Sequence, residues 1–510
     1  MDATSNFVFI NFTINSTYIG PTLAAAYLAP IIRKHSYKLQ VLNLPYKIED
    51  DLFVKKILSF SPAIVGYSCT ENQFQYLVRY SKLLEKFNDI LQIAGGVYVT
   101  LNPEEVLMKT GVDCVCVGEG EEPLDCLLEN IKNHRDIFSI KGFYWKKNGK
   151  IIKNSVPPFL NDLTKFGYPD YTVFDKNMVL FDVFDPNFKR EKYISCILSR
   201  GCPFSCSYCC NEALRSVYPS AKGYWRLPSV DYCIGFLKKL RKQFPETEYI
   251  FFVDDMLIIN ETWFKNFSKS YKKEIKLPYR VHGRPEVITP IMVDSLADSG
   301  CDMVSIGLEH GNESYRKKIL NREYSNEDFI EKVKMLKEKG IKIFTYTIFG
   351  FPFQTRELMK ETFLLNKKIG PYFGCSPFMY PYKGTKIYKI CKQANVLFKE
   401  ERYYDISSFY SRPSIRLNII QSLLCMYYHK RILFFLLLQR YKYTLRTIWH
   451  FKSTYKIKLI LNVIRFFFVG SFYAFLIFIS GPYVSIIEKR KTVHRWKKEW
   501  ETIISDFKDM

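Results

Sequence analysis

The sequence predicts an α/β protein: a doubly wound parallel sheet at the N-terminus, a partial (β/α)6 barrel after it, and a mostly helical C-terminal region. Three observations lead there. Short apolar runs alternate with helical periodicity over residues 7–133, and a second such series runs from Tyr193 toward residue 410. Parallel strands need a crossover to return across the sheet, so alternation at this spacing builds sheets covered by helices. The composition is that of packed globular domains. Of 510 residues, 47% are hydrophobic and 16% aromatic, which excludes disorder, and 25% are charged, which excludes a polytopic membrane protein. That length suits about three domains. Fourteen cysteines are too dilute for a secreted disulfide scaffold. The opening MDATSNFVFINF has no basic stretch ahead of its apolar run, so it reads as a first strand and the chain as cytoplasmic, with reduced thiols.

In the first series the expected strands are Phe7–Asn11, Leu39–Leu44, Ala63–Tyr67, Leu91–Ala94 and Cys114–Val117. Helical patterns follow at Pro21–Arg33, Asp50–Leu58, Glu71–Asn88, Pro103–Lys109 and Pro123–Asn133. Together they outline a Rossmann- or flavodoxin-like domain over residues 1–140. Ligands on such sheets sit beyond the carboxyl ends of the strands. That edge holds Ser68, Cys69 and Thr70, then Gly95 and Gly96, then Gly118, Glu119, Gly120 and Glu121. Small hydroxyl and glycine residues there admit a bulky cofactor, although they also suit ordinary turns. Residues 141–190 read as a connector, with Pro157-Pro158, Pro169, Pro186 and a short hairpin around Asn148-Gly149. Residues 191–410 are the expected barrel. Its strands are Tyr193–Leu198, Tyr249–Val253, Tyr279–Gly283, Met303–Gly307, Lys342–Ile348 and Cys375–Tyr380. Between them lie helical patterns at Ser229–Gln243, Glu261–Lys273, Pro290–Ser299, Asn326–Lys339 and Thr355–Lys368. Barrel chemistry belongs at the strand C-terminal ends.

Directly after the first barrel strand stands Ser199-Arg200-Gly201-Cys202-Pro203-Phe204-Ser205-Cys206-Ser207-Tyr208-Cys209-Cys210. Cys202, Cys206 and Cys209 have C-x3-C-x2-C spacing, a triplet expected by chance in only about 1% of sequences of this length and cysteine content. Three thiolates on one loop can hold three irons of a 4Fe-4S cubane and leave the fourth iron open. A structural zinc site is the alternative, but zinc prefers four closed ligands. Cys210 is adjacent to Cys209 and would normally point elsewhere.

This loop resembles the cluster signature of radical S-adenosylmethionine (SAM) enzymes. The strand-end motifs agree: Val253-Asp254-Asp255, Ile306-Gly307-Leu308-Glu309-His310-Gly311-Asn312 after Gly300-Cys301, Gly350-Phe351-Pro352, and Pro381-Tyr382-Lys383-Gly384-Thr385. The first domain resembles the cobalamin-binding module that precedes the barrel in one subgroup, through Gly95-Gly96, Pro103-Glu104-Glu105 and Val112-Asp113 to Glu121. The resemblance implies three cofactors: a 4Fe-4S cluster on Cys202, Cys206 and Cys209, SAM on its open iron, and cobalamin at Ser68, Thr70, Gly95, Gly96, Gly118 and Glu119. It puts Tyr208 near the SAM adenine, makes Glu309 a SAM-binding or catalytic group, and places Asp254, Asp255 and Arg284 among the catalytic residues. Each has a structural alternative: Asp254 as a turn cap, Arg284 as a carboxylate's partner, Glu309 as support for the barrel mouth. His282 and His310 read as hydrogen-bonded structural residues.

The activity implied is reductive cleavage of SAM to a 5′-deoxyadenosyl radical, followed by cobalamin-dependent methylation of an unactivated carbon. Oxidative cyclisation or rearrangement without methyl transfer is the alternative, and a non-catalytic metal-binding or electron-transfer protein is a third reading. A reducing partner such as flavodoxin or ferredoxin is implied too. Two features depart from the family pattern. There is no D-x-H-x-x-G motif, and Val97-Tyr98 follows Gly95-Gly96 where many relatives carry a histidine, so a bound corrinoid should lack a protein histidine ligand. Phe353-Gln354-Thr355 replaces the commoner Gly-Glu-Thr, which weakens any role for Gln354.

The C-terminal region, residues 411–510, carries a charge asymmetry. Residues 414–510 hold 17 Lys/Arg and 5 Asp/Glu within a chain of net charge +23. Leu433–Leu438 is a short apolar run, and Phe466–Ile487 is 22 residues without a charge, enough to span or lie in a bilayer. Basic flanks on an apolar segment favour an anionic membrane surface over nucleic acid as the partner. The expectation is a peripheral attachment to the inner face of the membrane and a small-molecule or lipid-like substrate, with a helical cap packed on the barrel as the alternative.

Overall fold

A computed structural model describes residues 6–13, 23–44, 47–184, 190–398 and 413–448. The chain divides into two compact units, Met1–Tyr441 and Lys442–Met510. The first unit contains both sheets.

Seven strands form the first sheet: β1 (Asn6–Phe12), β2 (Lys38–Leu44), β3 (Pro62–Ser68), β4 (Leu91–Gly95), β5 (Cys114–Cys116), β6 (Phe143–Lys147) and β7 (Lys150–Lys153). Their order is 2-1-3-4-5-6-7, with β1 to β5 parallel and the β6–β7 hairpin antiparallel at the edge. The 2-1-3-4-5 core is the flavodoxin-like order, whose crevice lies where the order reverses between β1 and β3. The strands are apolar on both faces because helices cover both. Phe7, Phe9, Ile64 and Ile93 face one layer, while Val8, Ile10, Val65 and Ala94 face the other. The segment read as a connector thus supplies two strands to this sheet and one to the next.

The second sheet has the order β14-β13-β12-β11-β10-β9-β8. Its strands are β8 (Phe181–Phe184), β9 (Arg190–Cys196), β10 (Tyr249–Phe252), β11 (Tyr279–Gly283), β12 (Cys301–Glu309), β13 (Lys342–Thr347) and β14 (Phe373–Cys375). β9 to β14 are parallel and form the expected six-stranded partial barrel; β8 pairs antiparallel with β9. The helices between and after them start where a short polar side chain can accept an N–H of the first turn. Ser229, Asn260, Thr289, Ser325, Thr355 and Thr385 each do so, each worth about 1 kcal/mol.

One strand differs from expectation. The sixth is only Phe373–Cys375, not Cys375–Tyr380, because the chain leaves the ladder after Cys375 and touches it again only at Phe378, opposite Phe349. Phe378 is a core residue. It packs with Phe349, Met359 and Phe363 against Cys425, Tyr428, Ile432 and Leu436 of the helix Ile419–Ile448. This helix contains the Leu433–Leu438 run, and up to Leu436 its buried face caps the barrel. No helix among the described residues is long and apolar enough to cross a membrane. Residues 466–487 lie outside the described residues.

Candidate functional site

The cysteine loop leaves β9 and is held from all sides by atoms distant in sequence. Asp254 is buried beyond the end of β10, where one carboxylate oxygen accepts hydrogen bonds from Leu198 N at 2.9 Å, Ser199 Oγ at 2.5 Å and Ser199 N. Arg200 and Arg226 exchange backbone hydrogen bonds of 3.0 and 2.9 Å. Gly201 follows with φ +78, and a Cβ there would lie 2.4 Å from the carbonyl oxygen of Tyr224, so only glycine fits this approach. Further along, Arg215 donates to Pro203 O and Ser205 Oγ, Asn321 Nδ2 donates to Ser205 O, and Ser207 Oγ donates to Ile319 O.

Cys202, Cys206 and Cys209 lie on this loop, none of them in a disulfide. No group of three His, Cys, Asp or Glu side chains among the described residues is arranged to hold one metal ion. A cubane places each thiolate on a different iron, so a donor set of three spaced thiols on a pinned loop fits it better than a single zinc. The three sulfurs differ in their surroundings. Arg284 Nη1 donates to Cys206 Sγ at 2.8 Å. Hydrogen bonds from Cys210 and Asn211 bring the Cys209 thiol down to about 7, against the effect of its burial. Burial pushes the Cys202 thiol up to about 12, a cost that iron ligation would offset.

Around the loop the expected residues separate into roles. Arg284 follows β11, stacks over the Phe204 ring at 3.7 Å and forms a two-pronged pair with Glu286, so it is both a carboxylate's partner and a contact of a loop cysteine. Asp255 follows Asp254 beyond the end of β10 and is exposed. Glu309 ends β12 at φ +57, a strained conformation for a non-glycine residue beside a register shift, and the kind of strain that collects at functional sites. Its Oε1 accepts from Arg322 Nη1 at 3.1 Å, and its Oε2 is buried without a partner. Arg322 also donates to Tyr208 Oη at 2.8 Å, so Tyr208, Arg322 and Glu309 form one network beside the loop. Arg322 went unnoticed in the sequence, since it sits between elements and belongs to no motif. His282 bridges Asp254 O and Tyr346 Oη, and burial followed by the charge of Arg280 brings it down to about 4. His310 is likewise kept neutral by burial, at about 3, with Nδ1 accepting from Asn312 N.

At the carboxyl edge of the first sheet, Ser68, Gly95, Gly96 and Gly118 lie together. Gly96 has φ +99, and a Cβ there would come within 2.8 Å of Cys69 N. Two expected cofactor contacts are engaged elsewhere. Thr70 forms a capping box with Gln73. Glu119 pairs with Arg226 at 2.5 and 3.0 Å and accepts from Leu160 N. The features that fit a corrinoid here are the open strand ends, the exposed Val97, and Glu71, which is buried with Oε1 unpartnered and pushed up by burial to about 8. Neither described histidine of this domain is at this edge. His35 pairs with Asp125 at the far end of its helix, and His134 follows the C-terminus of Glu121–Lys132.

The two halves meet through charge pairs that sequence reasoning did not foresee. Arg200 pairs with Glu121 at 2.7 Å and stacks on Tyr27; Arg226 pairs with Glu119; Lys383 pairs with Glu105 at 2.9 Å and donates its backbone N–H to Glu71. The strand ends of the first sheet are thereby held against the mouth of the barrel, next to the cysteine loop.

A partial six-stranded barrel carrying this loop after its first strand defines the radical SAM class, and a model of the radical SAM superfamily matches residues 196–365. Within it the chain belongs to the subgroup bearing an N-terminal B12 binding domain, whose model matches residues 12–128. The two domains bring the cofactors expected from the motifs: SAM with a 4Fe-4S cluster, and cobalamin. An uncharacterised methyltransferase of Pyrococcus horikoshii is 25% identical over 382 residues, 74% of this chain and 80% of its own. The anaerobic magnesium-protoporphyrin IX monomethyl ester cyclase of Rubrivivax gelatinosus is 22% identical over 75% of this chain and 68% of its own. Among solved structures, the radical SAM methyltransferase TsrM of Kitasatospora setae, with cobalamin and a [4Fe-4S] cluster bound, superposes with a TM-score of 0.61 at 17% identity, covering 78% of this chain and 76% of its own.

Proposed function

We propose that this chain is a cobalamin-dependent radical SAM methyltransferase acting on an unactivated carbon, with Cys202, Cys206 and Cys209 as the cluster ligands. The observation that carries the reading is the docking of the B12-type strand ends onto the barrel mouth beside the cysteine loop, through Arg200–Glu121, Arg226–Glu119 and Lys383–Glu105. When bound, the cluster supplies the electron that cleaves SAM and the corrinoid supplies the methyl group. The protein's own part is positional. Asp254 holds Ser199 and so the start of the loop, and Arg284 donates to the Cys206 sulfur. Tyr208, Arg322 and Glu309 form a rigid wall on which SAM is oriented, while Asp255 and Glu309 Oε2 face the reacting atoms. Burial of this wall excludes water from a radical, and the interdomain pairs hold the two cofactor sites at a fixed separation.

The test is anaerobic reconstitution with iron, sulfide and cobalamin, then SAM with a flavodoxin- or ferredoxin-type reductant. Both 5′-deoxyadenosine and S-adenosylhomocysteine are expected. Formation of 5′-deoxyadenosine alone would favour oxidative cyclisation or rearrangement; the Rubrivivax relative is named a cyclase. Absence of both would leave a non-catalytic protein.

The C-terminal segment attaches this enzyme to an anionic membrane surface, and the substrate is accordingly lipid-like. The support is the 17-to-5 excess of basic over acidic residues in 414–510 and the exposed Ile419, Ile420, Leu423, Tyr427 and Phe434 on the helix Ile419–Ile448. Flotation with anionic liposomes at low salt checks it: the full chain should float, and a chain ending at residue 410 should not.

A further inference from the structure

The inward face of β11 presents Arg280, His282 and, just beyond the strand, Arg284, at alternate positions that point to the same side of the sheet. Arg284 touches the cysteine loop. Arg280 lies four residues below it, roughly 13 Å at about 3.3 Å per residue. Its guanidinium lies over two rings, 4.1 Å from the centroid of Phe344 on β13 and 4.7 Å from that of Phe251 on β10. Nε donates to Ser305 Oγ at 2.5 Å and Nη2 to Tyr346 Oη at 3.4 Å, while Nη1 has no partner among the described residues. No carboxylate among those residues is within ion-pair distance of it. Asp302, at the start of β12, is already taken by Lys342 at 2.7 Å and by Tyr249 Oη at 3.2 Å.

Neutral partners thus fix the orientation of this cation and leave its charge uncompensated. A guanidinium partly removed from bulk water without a counter-charge carries a desolvation cost that a ligand's anion would offset. The group is not sealed off: Phe251, Arg280, Tyr346, Phe373 and Cys375 are all only half-buried. His282, next above, stays neutral because burial and the Arg280 charge bring it down to about 4. Of the cations on this side, Arg284 is paired with Glu286 and Arg322 with Glu309, which leaves Arg280, between aromatic rings, as the one without a carboxylate among the described residues.

We infer that Arg280 is the anion-binding residue of the substrate cavity, so that the substrate carries a carboxylate or phosphate on an apolar or aromatic body long enough to reach from the lumen floor toward the cysteine loop. This rests on the reading of the barrel as the catalytic chamber. The tether length follows from the strand: the anion is held about 13 Å below the loop, and the reacting carbon lies near the other end.

The experiment is fluorescence titration of the reconstituted full chain with three probes of one aromatic body: 1-pyrenebutyrate, 1-pyrenylmethyl phosphate and the neutral 1-pyrenebutanol. An anionic probe should bind at least about tenfold more tightly than the alcohol, as expected for a charge-assisted hydrogen bond in a partly desolvated site. The tighter of the two anions identifies the group. Arg280→Met should abolish the preference while leaving alcohol binding in place, and Arg280→Lys should keep part of it, which separates lost charge from lost folding. Equal affinity for the three probes in the unaltered protein, measurable or not, overturns the inference, as does a preference that survives in Arg280→Met. Neither result depends on SAM turnover, so failure of the methyltransferase reading would be seen separately, in the product assay.

Discussion

Cys209 and Cys210 are neighbours in sequence with different surroundings, and the difference predicts their mutants. Cys202→Ala, Cys206→Ala and Cys209→Ala should each lose the brown chromophore or SAM cleavage, since each removes one of three thiolates. Cys210→Ala should retain both, because Cys210 only donates a hydrogen bond to Cys209. Iron content and 5′-deoxyadenosine yield measure this. On the proposed assignment Arg284 would act on the cluster without ligating it. Its positive charge, 2.8 Å from Cys206 Sγ, would stabilise the reduced and more negative state. Arg284→Met should keep the iron and move the midpoint potential more negative, on the order of tens of millivolts, in an electron paramagnetic resonance titration. Glu71 gives a pH signature. Burial raises its carboxyl from 4.5 to about 8, so the folded state holds a proton that the unfolded state has released. Its contribution is fully present below pH 4.5 and is lost as pH rises toward 8. The melting temperature of Glu71→Gln should therefore gain on the unaltered protein across that window. A constant difference would show that Glu71 ionises freely.

At the scale of single elements, amphipathic periodicity and caps agree with what folds. The helix Asp50–Leu58 starts and ends where its pattern does, with Phe53 and Ile57 buried. The barrel helices start at the Ser, Thr and Asn residues that precede their apolar patterns. The short helix Val97–Leu101 was not legible, because five residues carry too little periodicity; it forms because Gly96 turns the chain and Tyr98 N donates to Cys69 O. The helix Ile419–Ile448 has two apolar faces, and composition alone could not say which is covered. Ile432 is fully buried among Phe349, Met359 and Phe363. Ile432→Ala should destabilise the first unit by about 2–5 kcal/mol in chemical denaturation. An effect below about 0.5 kcal/mol, the range of exposed substitutions, would mean that this helix does not cap the barrel in solution.

For the molecule as a whole, the interdomain pairs matter most. Glu119 and Arg226 are both largely shielded, so truncating one partner strands the other. Arg226→Met should cost about 3–5 kcal/mol, whereas Glu119→Leu with Arg226→Met should recover much of it. Burial alone would raise the Glu119 carboxyl, but the Arg226 hydrogen bonds and charge outweigh it and hold it below its ordinary value. The pair's contribution is therefore present above the unfolded carboxyl's pKa and fades as pH falls through the lowered folded value. The double variant should lose this acid dependence when both are melted along a pH series. Corrinoid retention after gel filtration gives a second readout, since the same contact holds the first sheet's strand ends at the barrel mouth.

The sequence by itself determined the fold class and the cysteine loop, because both are local. Periodicity of 2 or 3.6, capping residues and C-x3-C-x2-C spacing need no knowledge of distant contacts. Five of the six expected barrel strands and the five of the first domain form at those places, and the loop follows β9. Tertiary structure alone decided which polar residues meet. Glu119, expected at a cofactor, is bound by Arg226, 107 positions away; Asp254 holds Ser199 across 55 positions; Tyr208 reaches Arg322 across 114. Arg280, unremarkable in Tyr279–Gly283, becomes an uncompensated charge only once β10, β12 and β13 surround it with Phe251, Ser305, Phe344 and Tyr346. Whether a charge is paired depends on where the chain returns, and no window of sequence contains that information.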